Sequence, residues 1–204
     1  MSALRVAILL CAAGMCARAQ IIEFESGGLR YLTQSKGGVT VMFAHLPSGV
    51  RHYAIIQAAV SNGSSSARTV RPEDFSFRRK DGAVLRALPA RTVVDDLLAN
   101  ASRNDVIRLV TTYEAGLFGL PRFVSTNGYQ QRRQAALAEV SSTRIKAAAA
   151  ASAIALVETR LRPGDSTDGA VFFLTDGKPL GPGVLVVRCG PDVFEFPGDS
   201  PGRP

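Results

Sequence analysis

The order of secondary-structure patterns along the chain constrains its fold more than any other sequence feature. Residues 129–160 contain neither glycine nor proline and include the five alanines 147–151. This composition predicts a long helix, because alanine has the highest intrinsic helix propensity. Strand patterns lie on both sides of it, and neither β-rich part has enough strands to close a core alone. The sequence therefore predicts an α+β fold, an antiparallel β-sandwich interrupted by a helical insertion at 92–160.

Apolar periodicity places the strands and the helix starts. Residues 53–60 are apolar on both faces, so we expect them to form a central, buried strand. Residues 170–174 are also apolar on both faces. Thr92 and Asp95 have the spacing of a capping box and predict the start of the first helix. Residues 102–105 provide a start for a second helical segment.

The N-terminus has the pattern of a secretory signal peptide. Arg5 precedes the apolar run 6–13, and residues 17–19 read Ala-Arg-Ala, a small-x-small cleavage site. We predict that residues 1–19 are removed, that the mature chain starts at Gln20, and that the protein is exported to the periplasm or outside the cell. The apolar run is too short for a membrane span, so no transmembrane segment is expected after cleavage. An uncleaved anchor and a lipid on Cys16 are the alternatives.

The composition of the chain limits the classes of function that it can have. The chain has 204 residues, of which 46% are hydrophobic and 20% charged, enough for a folded core. Removing residues 1–19 lowers the formal net charge from +7 to +5, and the excess is spread along the chain, which argues against a nucleic-acid partner. Cys189 is then the only cysteine. Its strand pattern predicts a buried thiol, and an intermolecular disulfide is the alternative.

Three segments carry a family resemblance. They are Val60-Ser61-Asn62, the run from Val70 to Phe75 with the sequence Val-Arg-Pro-Glu-Asp-Phe, and the turn and strand of 163–173. Together they resemble the bacterial extracellular domains grouped as DUF4352, or telokin-like. The resemblance implies an immunoglobulin-like sandwich acting as a binding or structural module. It brings no catalytic residues.

The sequence offers few candidates for chemistry. His45 and His52 flank a Pro-Ser-Gly turn, and either could serve as a base. Together with Glu73 or Asp74 they could also bind a metal. No nucleophile is singled out for either histidine, and no phosphate-binding glycine-rich loop is present. We therefore predict no catalytic, cofactor-binding or metal-ligating residues, no cofactor, and no enzymatic activity.

An apolar, glycine-rich connection inside the insertion is the predicted interaction loop. If exposed, it is a contact surface, and if folded onto the sheet, it covers the core. Its candidate contact residues are Leu117, Phe118, Leu120, Phe123 and Tyr129.

These features predict an exported, non-enzymatic, immunoglobulin-like binding or structural module of the cell envelope. Residues 20–197 would form one domain, and residues 198–204 a disordered tail. Its contacts, with a protein partner or a second copy, would be made mainly by the helical insertion. The alternative is a secreted small-ligand-binding protein or hydrolase with a cleft between insertion and sheet.

Overall fold

The fold is taken from a computed structural model, which describes residues 20–47, 49–105, 107–109, 111 and 143–198. Among these residues, no helix has the length and apolar character needed to cross a membrane. The elements in chain order are β1 (Ile21–Ser26), β2 (Leu29–Lys36), β3 (Val39–His45), β4 (Tyr53–Asn62), β5 (Arg68–Val70), a 3-10 turn (Pro72–Asp74), β6 (Phe75–Arg79), β7 (Val84–Arg86), α1 (Ala90–Asn100), α2 (Thr143–Ile154), β8 (Thr159–Leu161), β9 (Ser166–Leu174), β10 (Gly183–Cys189) and β11 (Asp192–Gly198).

The strands form antiparallel sheets that fit a β-sandwich. The larger sheet has five strands in the order β1-β2-β3-β4-β9, and the second has four in the order β11-β10-β6-β7. Strands β5 and β8 make a small pair of their own. The fourth strand, β4, lies between β3 and β9 and is buried along nearly its whole length. This confirms the prediction of a central strand at 53–60.

The five-stranded sheet has a core on each face. One face packs against the four-stranded sheet, with Phe43, Ile56 and Phe173 facing side chains such as Phe77 and Phe196. The other face packs against helices α1 and α2. Its members from the sheet are Tyr31, Ile55 and Phe172, and those from the helices include Val93, Leu97, Ala147, Ala151 and Ile154. Since alternate residues of β4 enter different cores, both of its faces are apolar.

The first helix begins earlier than its sequence pattern indicates. Pro89, with φ −55° and ψ 140°, precedes it, and α1 starts at Ala90. The capping box predicted at Thr92 and Asp95 is therefore wrong, because Thr92 already lies inside the helix. The second predicted start is confirmed. Ser102 donates from its backbone N–H (2.7 Å) and its hydroxyl (2.8 Å) to Asp105, and residues 103–105 and 107–109 are helical.

The second helix ends earlier than predicted. Helix α2 stops at Ile154, and the predicted continuation to residue 160 is wrong because residues 159–161 form β8. After the helix, the backbone N–H of Leu156 donates to the carbonyl of Ala170 at 2.9 Å, so the chain runs along β9. Pairing with sheet residues overrides helix propensity here. The helical segments described within the insertion are therefore short, and residues 112–142 lie outside the description.

A buried amide organises the loops at the end of β4. The side-chain N–H groups of Asn62 donate to the carbonyls of Ser66 (2.9 Å) and Leu161 (3.1 Å), and its side-chain oxygen accepts from the backbone N–H and hydroxyl of Ser64. Asn62 is completely buried. It thus ties β4 to the following turn and to β8. It is part of an Asn-x-Ser sequon, but its amide already donates twice within the core.

Cys189 is a buried free thiol. It lies in the core between the two sheets together with Leu185 and Val187, as the strand pattern predicted. Burial raises the pKa of its thiol, which keeps the group protonated at neutral pH. The buried-thiol prediction is confirmed.

Candidate functional site

The predicted interaction loop falls on residues outside the description. Leu117, Phe118, Leu120, Phe123 and Tyr129 all lie in 112–142. Their role as a contact surface stays a prediction. The described residues instead present two other features, a polar cluster beside the helices and a pocket at one end of the sandwich.

The polar cluster is centred on Arg51, which lies in the turn before β4. Its guanidinium donates to the carbonyl of Asn100 at 2.5 Å and lies 3.9 Å from a carboxylate oxygen of Asp96 and 3.7 Å from one of Asp105. The hydroxyl of Tyr53 donates to Asp96 at 2.9 Å. One cation thus joins the sheet to the end of α1 and to the helical turn that follows.

Electrostatics fixes the protonation of this cluster. Burial, followed by the hydrogen bond and charge of Asp96, raises the pKa of Tyr53 to about 12. Burial alone would raise the pKa of Asp96, but hydrogen bonds from Asn100 and Tyr53 and the charge of Arg51 lower it. At neutral pH, Tyr53 is therefore a hydrogen-bond donor and Asp96 an anion, so the cluster acts as a stable clamp rather than as a proton donor and acceptor pair.

Arg51 adopts a left-handed backbone conformation, with φ 53°. Such a conformation is uncommon for a residue with a side chain. It occurs in a two-residue turn closed by reciprocal hydrogen bonds between Val50 and Tyr53 at 2.9 and 3.0 Å. The sequence carries no pattern that would single out this arginine, because its partners are more than forty residues away along the chain.

The second feature is a pocket of about 290 Å³ at the end of the sandwich. It is formed by the end of β3, the turn after it, the start of β4 and the connection between β9 and β10. Its described lining residues are His45, Leu46, Pro47, Gly49, Ala54, Ile55, Gly177, Lys178, Pro179, Leu180 and Gly181. None belongs to α1 or α2, so this pocket lies elsewhere than the cleft expected between insertion and sheet.

His45 is one of two titratable residues that line the pocket, the other being Lys178. Its ring lies edge-on to Phe43 and Phe77, with ring centres 5.4 and 6.4 Å away. Its Nε2 atom is buried and has no hydrogen-bond partner among the described residues. Burial lowers the pKa of His45, so the imidazole is neutral at neutral pH.

The two histidines do not meet. In the register of β3 with β4, His45 pairs with Ile56, four residues beyond His52. Asp74 is used elsewhere, accepting a hydrogen bond from the backbone N–H of Arg71 at 2.8 Å. In the described part of the chain, no group of three or more His, Cys, Asp or Glu residues is placed to hold a metal ion. The considered pairing of His45 and His52 across the turn is therefore wrong.

Comparisons with known proteins place the chain in no family. No family model matches it, and no curated protein matches it. Among solved structures, the crystal structure of the yjhA protein from Bacillus subtilis is similar over 81% of this chain and 76% of that chain, with 10% identity and a TM-score of 0.32. At that level, the similarity carries no inference about fold or function.

Proposed function

We propose that the protein is an exported, non-enzymatic binding or structural module of the cell envelope, with an immunoglobulin-like sandwich as its scaffold and its helical layer as its contact surface. The partner is an envelope protein or a second copy of the chain. The immunoglobulin-like assignment is supported by the antiparallel sheets and by the three family-like segments, which lie at the end of β4, across β5 to β6, and in the turn and strand of β9.

The observation that carries the proposal is the exposure of aliphatic side chains on the helical layer. Of the seven large hydrophobic side chains exposed by the described residues, three lie on the helical layer, namely Leu98 on α1 (44% exposed), Ile107 (54%) and Ile145 on α2 (46%). The other four are spread over four different strands, one each on β1, β7, β9 and β11. Large exposed aliphatic groups gain free energy when a partner covers them. The layer is also held in place, because Arg51 clamps it to the sheet and α1 packs against α2.

Point variants test this surface better than a deletion does. Removing residues 92–160 would bare the helix-facing core of the sheet and remove two of the three residues of β8. The test instead compares Leu98→Glu, Ile107→Glu and Ile145→Glu, each in the full chain, by crosslinking in cells. We expect at least one of these changes to weaken a crosslinked complex by roughly tenfold or more, since a contact hot spot contributes about 2 kcal/mol.

The matched controls are Val84→Glu on β7 and Val193→Glu on β11, which are 58% and 42% exposed. These variants should retain the complex. The mass of the crosslinked species distinguishes a second copy from another protein. The proposal fails if the sheet variants abolish the complex as strongly as the helix variants, or if no helix variant changes it.

Export is tested by the mass of the protein recovered from an envelope or secreted fraction. We expect a chain that starts at Gln20, because the Ala-Arg-Ala site precedes it. A mass that includes residues 1–19 would indicate an uncleaved anchor. A lipid-sized increase that disappears in Cys16→Ser would indicate a lipoprotein, and recovery of the whole protein from the cytoplasm would contradict export.

A further inference from the structure

We propose that His45 makes one end of the sandwich sensitive to acid. When its imidazole takes up a proton, the paired ends of β3 and β4, residues 45–46 and 55–56, separate locally while the opposite end of the two strands stays closed. The change needs no ligand and no partner, so it holds or fails independently of the proposed contact surface.

The surroundings of the His45 ring give little stabilisation to a charge. The rings of Phe43 on β3 and Phe77 on β6 stand nearly perpendicular to it, at 80° and 84°, with centres 5.4 and 6.4 Å away. Its Nε2 atom is buried and has no hydrogen-bond partner among the described residues. An imidazolium carries a proton on both ring nitrogens, so its Nε2–H would be buried without an acceptor. Such a loss is greater for a charged group than for a neutral one.

The charged side chains on the elements packed around His45 do not help its protonation. Lys178 lines the adjoining pocket, and Arg79 follows Phe77 on the inner face of β6, with its Nε atom buried. Both are cations. The residues of β4 and β11 in the same core are apolar, and the acid of the β9–β10 connection, Asp176, is exposed outside the pocket lining. Burial therefore lowers the pKa of His45, and no carboxylate of the described residues raises it.

The direction of the pH effect follows from the difference between the closed and open states. Burial in the closed state lowers the pKa of His45 below its usual 6.5, whereas a ring exposed by opening titrates near that value. Below about pH 6.5, the open state therefore binds a proton that the closed state does not. The equilibrium constant for opening rises by up to about tenfold per pH unit, until the closed state also takes up its proton.

The strand ends beside His45 also hold part of the helical layer. His45 is paired with Ile56, and the backbone N–H of Leu46 donates to the carbonyl of Ile55 at 3.1 Å. At the start of the same strand, the hydroxyl of Tyr53 donates to Asp96 on α1 at 2.9 Å. Opening this end would therefore loosen the attachment of α1 to the sheet as well.

Hydrogen exchange of single backbone amides, followed by NMR, measures the opening. The Leu46 amide reports on the His45 end. The Asn62 amide, which donates to the carbonyl of Asp165 at 2.9 Å, reports on the opposite end of β4. Protection factors are corrected for the intrinsic pH dependence of exchange. Between pH 7.5 and pH 5.5, we expect that of Leu46 to fall several-fold, at most about tenfold, and that of Asn62 to stay constant.

Variants assign the effect to one imidazole. In His45→Gln, which keeps a neutral polar side chain but cannot titrate, the Leu46 protection factor should no longer depend on pH in this range. His52→Gln is the matched control, because His52 is the other histidine of the chain and is exposed. It should keep the dependence of the wild type. His45→Phe, which adds a third phenyl ring to the cluster, repeats the test if the glutamine variant does not fold.

Three results would overturn the proposal. The first is a Leu46 protection factor that is the same at both pH values. The second is an equal fall at Asn62, which would indicate acid unfolding of the whole domain. The third is an unchanged pH dependence in the His45 variants, which would assign the effect to other titrating groups.

Discussion

Replacing Asn62 with alanine is expected to lower the free energy of unfolding by about 3–5 kcal/mol. The substitution removes the donors to Ser66 and Leu161 and the acceptor for Ser64. A buried polar group left without a partner costs about 1–3 kcal/mol, and here several partners lose theirs together. Urea denaturation followed by circular dichroism measures the change.

Asn104→Ala is the matched control, because Asn104 is exposed in a helical turn. Its effect should stay within about 0.5 kcal/mol. A second variant, Asn62→Asp, keeps the size of the side chain but cannot donate when ionised, and it adds a buried negative charge. We expect it to be at least as destabilising as alanine. A loss below about 1 kcal/mol for both Asn62 variants would contradict the role assigned to this amide.

Introducing a methyl group at Gly169 should be nearly as damaging. A Cβ atom there would lie 2.5 Å from both the Cα and the N atom of Leu156, and 3.0 Å from the carbonyl carbon of Ala155. These are backbone atoms, which cannot rotate away as a flexible side chain can. We therefore expect Gly169→Ala to lower the free energy of unfolding by about 2–4 kcal/mol through overpacking.

The control for this variant separates steric contact from backbone strain. Gly164 has a φ of 87°, and a Cβ atom there would have nothing within 4 Å. Gly164→Ala should therefore cost only the strain of its left-handed conformation, about 1–2 kcal/mol. If the two variants were equally destabilising, or if Gly169→Ala were harmless, the close approach of the residue 155–156 backbone to β9 would not matter for stability.

Sequence patterns predicted those parts of the fold that depend on local periodicity. The doubly apolar β4, the buried Cys189 and the helical restart at Ser102 follow from spacing within a few residues. The patterns were wrong where distant partners decide the structure. Residues 159–161 leave the helix because β5 offers them a strand partner, and that partner lies about ninety residues earlier in the chain.

The candidate sites were less predictable for the same reason. The sequence indicates His45 as a possible base or metal ligand, but it does not indicate that His45 shares a pocket with Lys178. The Asp-Gly pair before Lys178 predicts only a turn. Arg51 gains its role from Asp96 and Asp105 on the helical layer. No periodicity links such positions, because they meet only after the sheets have closed.

The pairing of β4 with β9 has a consequence for how the chain reaches its folded state. Tyr53 pairs with Leu174, so the central strand gains its second neighbour only after more than a hundred further residues have been made. Folds dominated by such distant pairings have a high contact order and fold slowly. Strands β1 to β4 therefore keep one unpaired edge and two uncovered apolar faces until the later parts of the chain are made, and such surfaces make a folding intermediate prone to aggregation. Late completion of the sheet is compatible with the proposed export, in which the chain would cross the membrane unfolded.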